Sequence, residues 1–480
     1  MYDVAIVGCG IIGAAAAYEL SRYRLRTVVL EKRNDVCDAT TKANSAIIHA
    51  GYDPEPGTLM AKLNVRGAEL AQELCARLDV PYRRVGSLVL AFREEERPTL
   101  EALYRRGVRN GVKALSLLDA SEAHAMEPGI APDVAGALYA PGAAIVNPWE
   151  YGIALAETAV KNGTELRRSS EVLSIGRIDG GWRILTNRGS VDAGFVINAA
   201  GVSSDKVHNM VAAPDFTIRP IRGEYYLLDK SEGTRVSHVI FQCPTENGKG
   251  VLVSPTVHGN LIAGPNAQAV EDGGDVSNTA QGMEFVRRAA LRSVPSISFR
   301  DNIRNFAGLR AACERDDFVI RAAAPGFLDL AGIKSPGLTA APAVAEYALE
   351  LLRGEGLKTE KKADWDGTRK KIRFRDLSAE EKNRLIRKNP AYGRVICRCE
   401  TITEGEILDA LHSPIPPRSI DGVKRRAGSG MGRCQGGFCG PRVLAILARE
   451  YHMAPEEIPQ DNDGSWILSG ETKRGGSADA

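Results

Sequence analysis

The chain has 480 residues, enough for two or three domains with a full hydrophobic core, so it needs no disulfides to fold. A content of 44% hydrophobic and 25% charged residues is that of a globular protein and excludes collagen-like, disordered and membrane-spanning classes. The 62 Lys and Arg almost cancel the 60 Asp and Glu, so no global field draws in nucleic acid or an anionic membrane, and any anion selectivity must be local.

Met1-Tyr2-Asp3 runs straight into the apolar stretch Val4 to Val7, with no basic leader and no small-residue cleavage site. No stretch approaches the roughly 18 apolar residues of a membrane span. A cytoplasmic protein without a transmembrane segment is expected, and one that does not bind nucleic acid. Residues 4 to 31 read as strand, turn, helix and strand, a βαβ unit. Its turn carries Gly8, Gly10 and Gly13 as Gly-x-Gly-x-x-Gly. That pattern is weak alone, but here it follows a strand and opens a helix, where free helix N–H groups suit a pyrophosphate. Glu31 ends the second strand, where a carboxylate accepts from an adenosine ribose and repels a 2′-phosphate. A dinucleotide other than NADP is expected, with Ile12 and Lys32 beside these contacts.

Helical patterns dominate from about 60 to 115, broken by a strand-like run from Gly86 to Ala91, and a further helix is expected near Glu150 to Asn162. Short strands follow around 164 to 200. Alternating runs over 218 to 265, including Gly223 to Leu228 and Gly250 to Val253, predict the sheet of a substrate domain. Residues 326 to 353 return to strand, glycine turn and long helix. From 354 to 393 the chain becomes strongly charged, as a solvated connector would, with a short helix after Ser378. The tail after Gly470 is of low complexity.

Four of the nine cysteines fall within 43 residues: Cys397 and Cys399, then Cys434 and Cys439. A disulfide framework would be spread over the fold, and the chain lacks a secretion signal, so the cluster suggests a metal site in a reducing compartment. Zinc pairs are usually spaced Cys-x2-4-Cys, whereas four thiolates are what a [2Fe-2S] cluster requires. The cluster is preferred, with structural zinc and an empty site as alternatives. Thr403 and Glu406 have capping-box spacing for a helix through Leu411, and Pro441 suits the first turn of a helix from Arg442 to Arg449. Cys9, Cys37, Cys75, Cys243 and Cys313 are expected to be buried structural thiols.

The segments Val4 to Glu31, Thr40-Thr-Lys-Ala-Asn-Ser-Ala-Ile-Ile-His-Ala-Gly, Val196-Ile-Asn-Ala-Ala-Gly and Ala331-Gly-Ile-Lys-Ser-Pro-Gly-Leu-Thr together resemble the D-amino-acid-oxidase-like superfamily of flavoenzymes. That superfamily includes glycine oxidase, glycerol-3-phosphate dehydrogenase and L-2-hydroxyglutarate oxidase. The resemblance implies bound FAD, with Thr41, Lys42, Ser45 and His49 near the flavin, Val172 at the adenine and Gly201 near the first glycine turn. It further implies that Gly337, Leu338 and Thr339 offer backbone N–H groups to the flavin pyrimidine. The run from Val395 to Pro441 resembles the bacterioferritin-associated-ferredoxin-like domain, in which four matching cysteines bind [2Fe-2S]. The fold class so implied is mixed α/β and α+β. A Rossmann-like FAD-binding domain (about 1–80, 145–210 and 310–353) carries an inserted mixed-sheet substrate domain (about 81–144 and 211–309). A small, mainly helical [2Fe-2S] domain (394–455) and a tail (456–480) follow the connector.

Oxidation of a secondary alcohol needs a group to take the hydroxyl proton as hydride leaves the same carbon, and a neutral imidazole suits that task. His49 and His258 are the candidates. An arginine fork suits an anionic substrate; Arg310 is the first choice, with Arg222 or Lys334 as further charge. The expected reaction is oxidation of sn-glycerol 3-phosphate to dihydroxyacetone phosphate. Electrons would pass through or near the cluster to a second flavoprotein or other acceptor, and a hetero-oligomer with it is implied. L-2-hydroxyglutarate, an amino acid such as proline or sarcosine, and a non-catalytic iron-sulfur protein remain the alternatives.

Overall fold

The computed structural model describes residues 1–244 and 250–470, so the low-complexity tail expected after Gly470 lies outside the described residues. The chain divides into two compact units, one of Met1–Lys32 and Val36–Lys370, the other of Arg33–Asp35 and everything from Lys371 onward.

The first unit is built on two large sheets. In the eight-stranded sheet the opening strand Tyr2–Val7 lies parallel between Thr27–Leu30 and Gly189–Asn198. Phe327–Ala331 adds in parallel on Gly189–Asn198, and Glu165–Arg167 on Thr27–Leu30. The returning strand read near the end of the unit is thus part of the sheet that the first strand begins. Val4, Ala5 and Ile6 are fully buried, as a parallel strand covered on both faces requires. The helix Ile11–Leu20 buries nine of its ten residues, because its four consecutive alanines let it pack against the helices Pro148–Lys161 and Gly337–Gly354.

The nine-stranded sheet takes its strands from residues 87–140 and 218–313. The long antiparallel pair Ile218–Leu228 and Asn302–Cys313 forms its working end, with Ile221 opposite Arg310, Gly223 opposite Gly308 and Tyr225 opposite Phe306. Because side chains alternate across a strand, Arg310, Gly308, Phe306 and Tyr225 share one face while Arg222 and Glu224 share the other. A small third sheet joins Ile47–Ile48, Ala144–Val146 and Tyr82–Arg84. Among the described residues no helix is long and apolar enough to cross a membrane.

The stretch read as a solvated connector is largely engaged. Trp365 Nε1 donates to Ser21 Oγ at 3.1 Å, and Arg369 Nε reaches the buried Glu157 at 2.8 Å, so both belong to the first unit. Phe374 is buried in the second unit, where its N–H donates to Glu406 Oε1 at 3.1 Å. Charge density hid these anchors, because two carboxylates inside the fold answer Arg369.

The second unit packs the helices Glu404–Leu411, Ile420–Ala427 and Gly440–Tyr451 around Ile407, Val423, Val443 and Leu447. Thr403 and Glu406 form the expected capping box, and Ser378 with Glu381 forms another on the helix Ala379–Lys388. Ile458 joins the same core, and Pro459 pairs with Trp466, so the described part of the expected tail is folded. Asp35 is 1% exposed and accepts from both Arg425 Nη2 at 3.0 Å and Arg426 Nη2 at 2.8 Å. Burial alone would raise its carboxyl, but Arg426 and then Arg425 outweigh that and hold it well below the usual carboxylate range.

A carboxyl depressed in the folded state contributes stability above its unfolded value of about 4 and loses it as pH falls toward the folded value. We therefore expect the hydrogen-exchange protection factors across Ile420–Ala427, corrected for the intrinsic rate at each pH, to fall as pH drops below about 4. At neutral pH, Asp35→Asn should speed the same amides by an opening cost of about 3 kcal/mol, because two buried guanidiniums lose their counter-charge. Unchanged protection in the variant would show that the pair is dispensable.

Candidate active site and cysteine centre

The glycine turn is shaped by close backbone packing. A Cβ on Gly8, whose φ is +95°, would stand 2.6 Å from the Ala199 carbonyl oxygen, and one on Gly13 would stand 2.0 Å from that of Gly8. A Cβ on Gly10 would touch only Thr41 Oγ1, at 3.4 Å. The helix beginning at Ile11 has no side-chain cap and no acid in its first turn, so its positive end is available to an anion beside Ile12 and Gly13. The buried Glu31 accepts from Cys9 N–H at 2.8 Å, which fixes the carboxylate against the turn. Ser170 N–H donates to the Glu31 carbonyl at 2.8 Å, which brings the segment leading to Val172 alongside. Lys32 follows on the surface, and Gly201, at φ +58°, is exposed with nothing close to its Cβ position.

Residues 40 to 49 connect this turn to the second sheet. Thr41 Oγ1 accepts from Ile11 N–H at 2.9 Å, while Lys42 is paired with the buried Asp38 at 2.7 Å. Thr40 Oγ1 donates to the Leu309 carbonyl at 2.7 Å, and a Cβ on Gly308 would come within 1.9 Å of the Ala43 carbonyl oxygen. Ser45 Oγ lies 3.2 Å from the Tyr225 hydroxyl, and Tyr225 stacks on Phe306 with centroids 4.7 Å apart.

At the end of this segment His49 donates its main-chain N–H to Thr339 Oγ1 at 2.9 Å, and its Nε2 lies 3.4 Å from Ser335 Oγ. Its ring lies 5.9 Å from that of Phe241. Gly337, Leu338 and Thr339 begin the helix Gly337–Gly354, again without a side-chain cap. The structure therefore brings His49 to the Gly337–Thr339 turn, while Ser45 meets Tyr225 of the second sheet.

Arg310 is half-buried, and among the described residues its guanidinium has no ion-pair or hydrogen-bond partner; Lys334 is in the same condition. Arg222 is different: buried on the opposite face of its strand, it is held by Asp275, by Ser277 Oγ at 2.8 Å and by Gln268 Oε1 at 2.8 Å. It is therefore not the further substrate charge. His258 lies in the turn after Leu252–Pro255, with Nε2 3.1 Å from the amide of Asn147 that caps the helix Pro148–Lys161. Tyr225, Phe306, Ser335 and Phe241 escaped sequence reading as site residues. The available signal was pattern alone, since Tyr225 lies in the run Arg222-Gly-Glu-Tyr-Tyr but only strand register brings it to Ser45.

The four cysteines converge in the second unit. Cys399 and Cys434 have their sulfurs 3.8 Å apart and are exposed, while Cys397 and Cys439 are buried and hydrogen-bonded to each other. The hydrogen bond from Cys439, followed by backbone N–H groups of Gly430 and Glu400, lowers the Cys397 thiol below its ordinary value. Backbone N–H groups of Phe438 and Gly436, with Cys399, lower Cys434. Gly432 is required here, since a Cβ on it would lie 2.3 Å from that of Cys399. Among the described residues no three side chains close on a single ion. Two thiol pairs supplied with N–H donors fit a two-iron cluster, which takes two thiolates per iron. Of the remaining cysteines, four are buried and Cys313 is half-buried.

Residues 3–351 match the family model described as FAD dependent oxidoreductase, and residues 395–449 match the BFD-like [2Fe-2S] binding domain. The chain belongs to that family of FAD-dependent oxidoreductases, with FAD and a [2Fe-2S] cluster as its cofactors, and the glycine turn and thiol pairs fit both. Among its relatives, glycerol 3-phosphate dehydrogenase of Caloramator mitchellensis is 51% identical over 98% of this chain and 99% of its own length. Glycerol 3-phosphate oxidase of Mycoplasma genitalium is 34% identical over 76% of this chain and 97% of its own. Among solved structures, dithionite-reduced L-alpha-glycerophosphate oxidase of Mycoplasma pneumoniae with FAD bound superposes with a TM-score of 0.73 at 35% identity. It covers 76% of this chain and 98% of that one.

Two substitutions probe these centres. Gly13→Ala should cost ~1–3 kcal/mol by overpacking and leave the purified chain depleted of flavin, read from the ratio of flavin to protein absorbance. Stoichiometric flavin would contradict the role given to the close turn. Cys434→Ser should abolish the visible absorption of the cluster and its paramagnetic signal after reduction, whereas survival of both would overturn the ligand set.

Proposed function

We propose that the chain is an sn-glycerol 3-phosphate dehydrogenase that forms dihydroxyacetone phosphate and passes the electrons to a protein acceptor. The observation that carries this is Arg310, a half-buried guanidinium without a counter-charge on the face that meets residues 40 to 49. A phosphate monoester dianion supplies that charge and accepts from the planar fork in a bidentate manner. Lys334, one residue before Ser335, supplies a second cation on the His49 side.

Bound FAD would supply the acceptor for the hydride that leaves C2 of the substrate. His49 takes the C2 hydroxyl proton at Nε2, the nitrogen beside Ser335 Oγ, and the bond from its main chain to Thr339 fixes the residue. His258 is the second candidate, but its Nε2 is occupied at the Asn147 cap, which favours His49. Gly8, Gly10, Ile12, Gly13, Glu31, Lys32, Val172 and Gly201 would hold the adenosine and pyrophosphate. Thr41, Lys42, Ser45, Gly337, Leu338 and Thr339 would hold the flavin end.

The full-length 51% identity to a protein named a dehydrogenase supports the substrate and the electron outlet together. The relatives named oxidases match only 76% of this chain, which favours an acceptor reached through the cysteine domain over dioxygen. That acceptor is a second flavoprotein or another redox protein, and a hetero-oligomer with it is part of the proposal. None of the nine cysteines is in a disulfide, which supports a reducing, cytoplasmic setting.

Anaerobic mixing with a panel of candidate substrates tests the reading. Glycerol 3-phosphate should bleach the flavin band, and 2-hydroxyglutarate, proline and sarcosine should not; the reverse order would make the chain a 2-hydroxy-acid or amino-acid dehydrogenase. His49→Ala should slow the bleaching by ~10²–10⁴-fold. Arg310→Ala should instead raise the half-saturating concentration by about 10–100-fold, as loss of a charged hydrogen bond predicts.

A further inference from the structure

The surface around the exposed cysteine pair has a composition unlike that of the whole chain. From Gly422 to Arg449 there is no acidic residue, whereas six are basic. Two of these, Arg425 and Arg426, are buried against Asp35, and Arg449 is paired with Glu404 and Glu450. Arg442 remains on the surface, and Arg398, between Cys397 and Cys399, joins it from the other ligand segment. Arg398 and Arg442 have no carboxylate partner among the described residues; each instead lies over the ring of Phe438, at 5.0 and 5.3 Å from its centroid.

Phe438 precedes the ligand Cys439 and is 51% exposed, although it is among the largest apolar side chains of the unit. The two arginines hold the ring from solvent-facing positions without covering it. An exposed aromatic flanked by arginines has the composition of an interface centre, where Phe and Arg are enriched. The same patch holds Cys399 and Cys434, the ligand sulfurs that reach solvent.

We propose that this patch of Phe438, Arg398 and Arg442 is the docking surface through which electrons leave, and that its partner is an electron-carrying protein with an acidic rim around its own redox centre. The proposal rests on the electron outlet proposed above. Opposite charge raises the rate of encounter and orients the partner, and an apolar pocket opposite Phe438 would exclude water where the two centres approach. Oxidation of one alcohol to a ketone releases two electrons and two protons. The electrons cross this surface singly, reducing two acceptor molecules per ketone, while the protons pass to water.

Two strongly oxidising proteins of opposite surface charge serve as probes: plastocyanin, which is acidic, and mitochondrial cytochrome c, which is basic. The holoenzyme is reduced anaerobically with stoichiometric dithionite, mixed with each probe in a stopped-flow instrument, and followed over a range of ionic strength. We expect plastocyanin to be reduced faster at low salt and to slow as salt rises, with cytochrome c showing the opposite trend. Arg442→Glu and Arg398→Glu should each slow plastocyanin roughly tenfold or more and speed cytochrome c. Phe438→Ala should slow plastocyanin without changing the dependence on salt. The cluster absorption and the flavin bleaching by glycerol 3-phosphate should stay as in the unaltered enzyme, and Arg442→Glu keeps the test open should Arg398→Glu disturb the cluster. Plastocyanin rates that ignore both salt and charge reversal would overturn the docking surface. Since dithionite replaces the substrate, a failure of glycerol 3-phosphate to reduce the enzyme would refute the proposed substrate and leave the surface to stand or fall on the probe rates.

Discussion

The contact on which the first unit depends is the meeting of two backbones at Gly308 and Ala43. At that point any side chain larger than hydrogen on Gly308 would collide with the Ala43 carbonyl. The approach is held by the hydroxyl of Thr40 on the Leu309 carbonyl and by Ser45 beside the Tyr225 hydroxyl. It sets residues 40 to 49, which start at the nucleotide turn and end at His49, directly on the face of the second sheet that carries Arg310. The segment proposed to hold the cofactor thus shares one side of one interface with an unpaired cation, although they are 261 residues apart in sequence, from His49 to Arg310.

Several parts of this arrangement were legible in the sequence. The βαβ opening, the capping box at Thr403, the short helix after Ser378 and the four-cysteine pattern all rest on local chemistry, where neighbours in sequence determine the geometry. What sequence could not show came from register and from burial. Arg222 reads as a further charge beside Arg310, but the two are one place out of step across paired strands and therefore point to opposite faces. Arg222 is consumed by Asp275, whereas Arg310 is left open. Tyr225 and Ser335 were hidden for the same reason, since nothing local marks a residue whose partner lies across a sheet or at the start of a distant helix. The charged stretch after residue 354 misled in the other direction, because its Trp365, Arg369 and Phe374 find buried partners that composition does not reveal.

The two units share a physical device for holding redox groups: backbone N–H groups free to face negative charge. In the first unit these are the amides of Ile12, Gly13, Leu338 and Thr339 at the two helix starts, since the Ile11 N–H is taken by Thr41 Oγ1 and that of Gly337 by the Lys334 carbonyl. In the second they are the amides of Gly430, Glu400, Gly436 and Phe438 around the thiols. Such dipoles are fixed by the fold and need no reorganisation when charge arrives, which suits groups that alternate between oxidation states. Glycine is needed where the backbone must come close, at Gly8 and Gly13 in one unit and Gly432 in the other.

The central claim is that Arg310, on the face closed by Gly308 and Ala43, receives the anionic end of the substrate. A crystal structure of the FAD-loaded enzyme with dihydroxyacetone phosphate tests it most directly. The account predicts the phosphate within hydrogen-bonding distance of the Arg310 guanidinium and the C2 oxygen next to His49 Nε2. A phosphate seated elsewhere, with Arg310 turned to solvent, would contradict it.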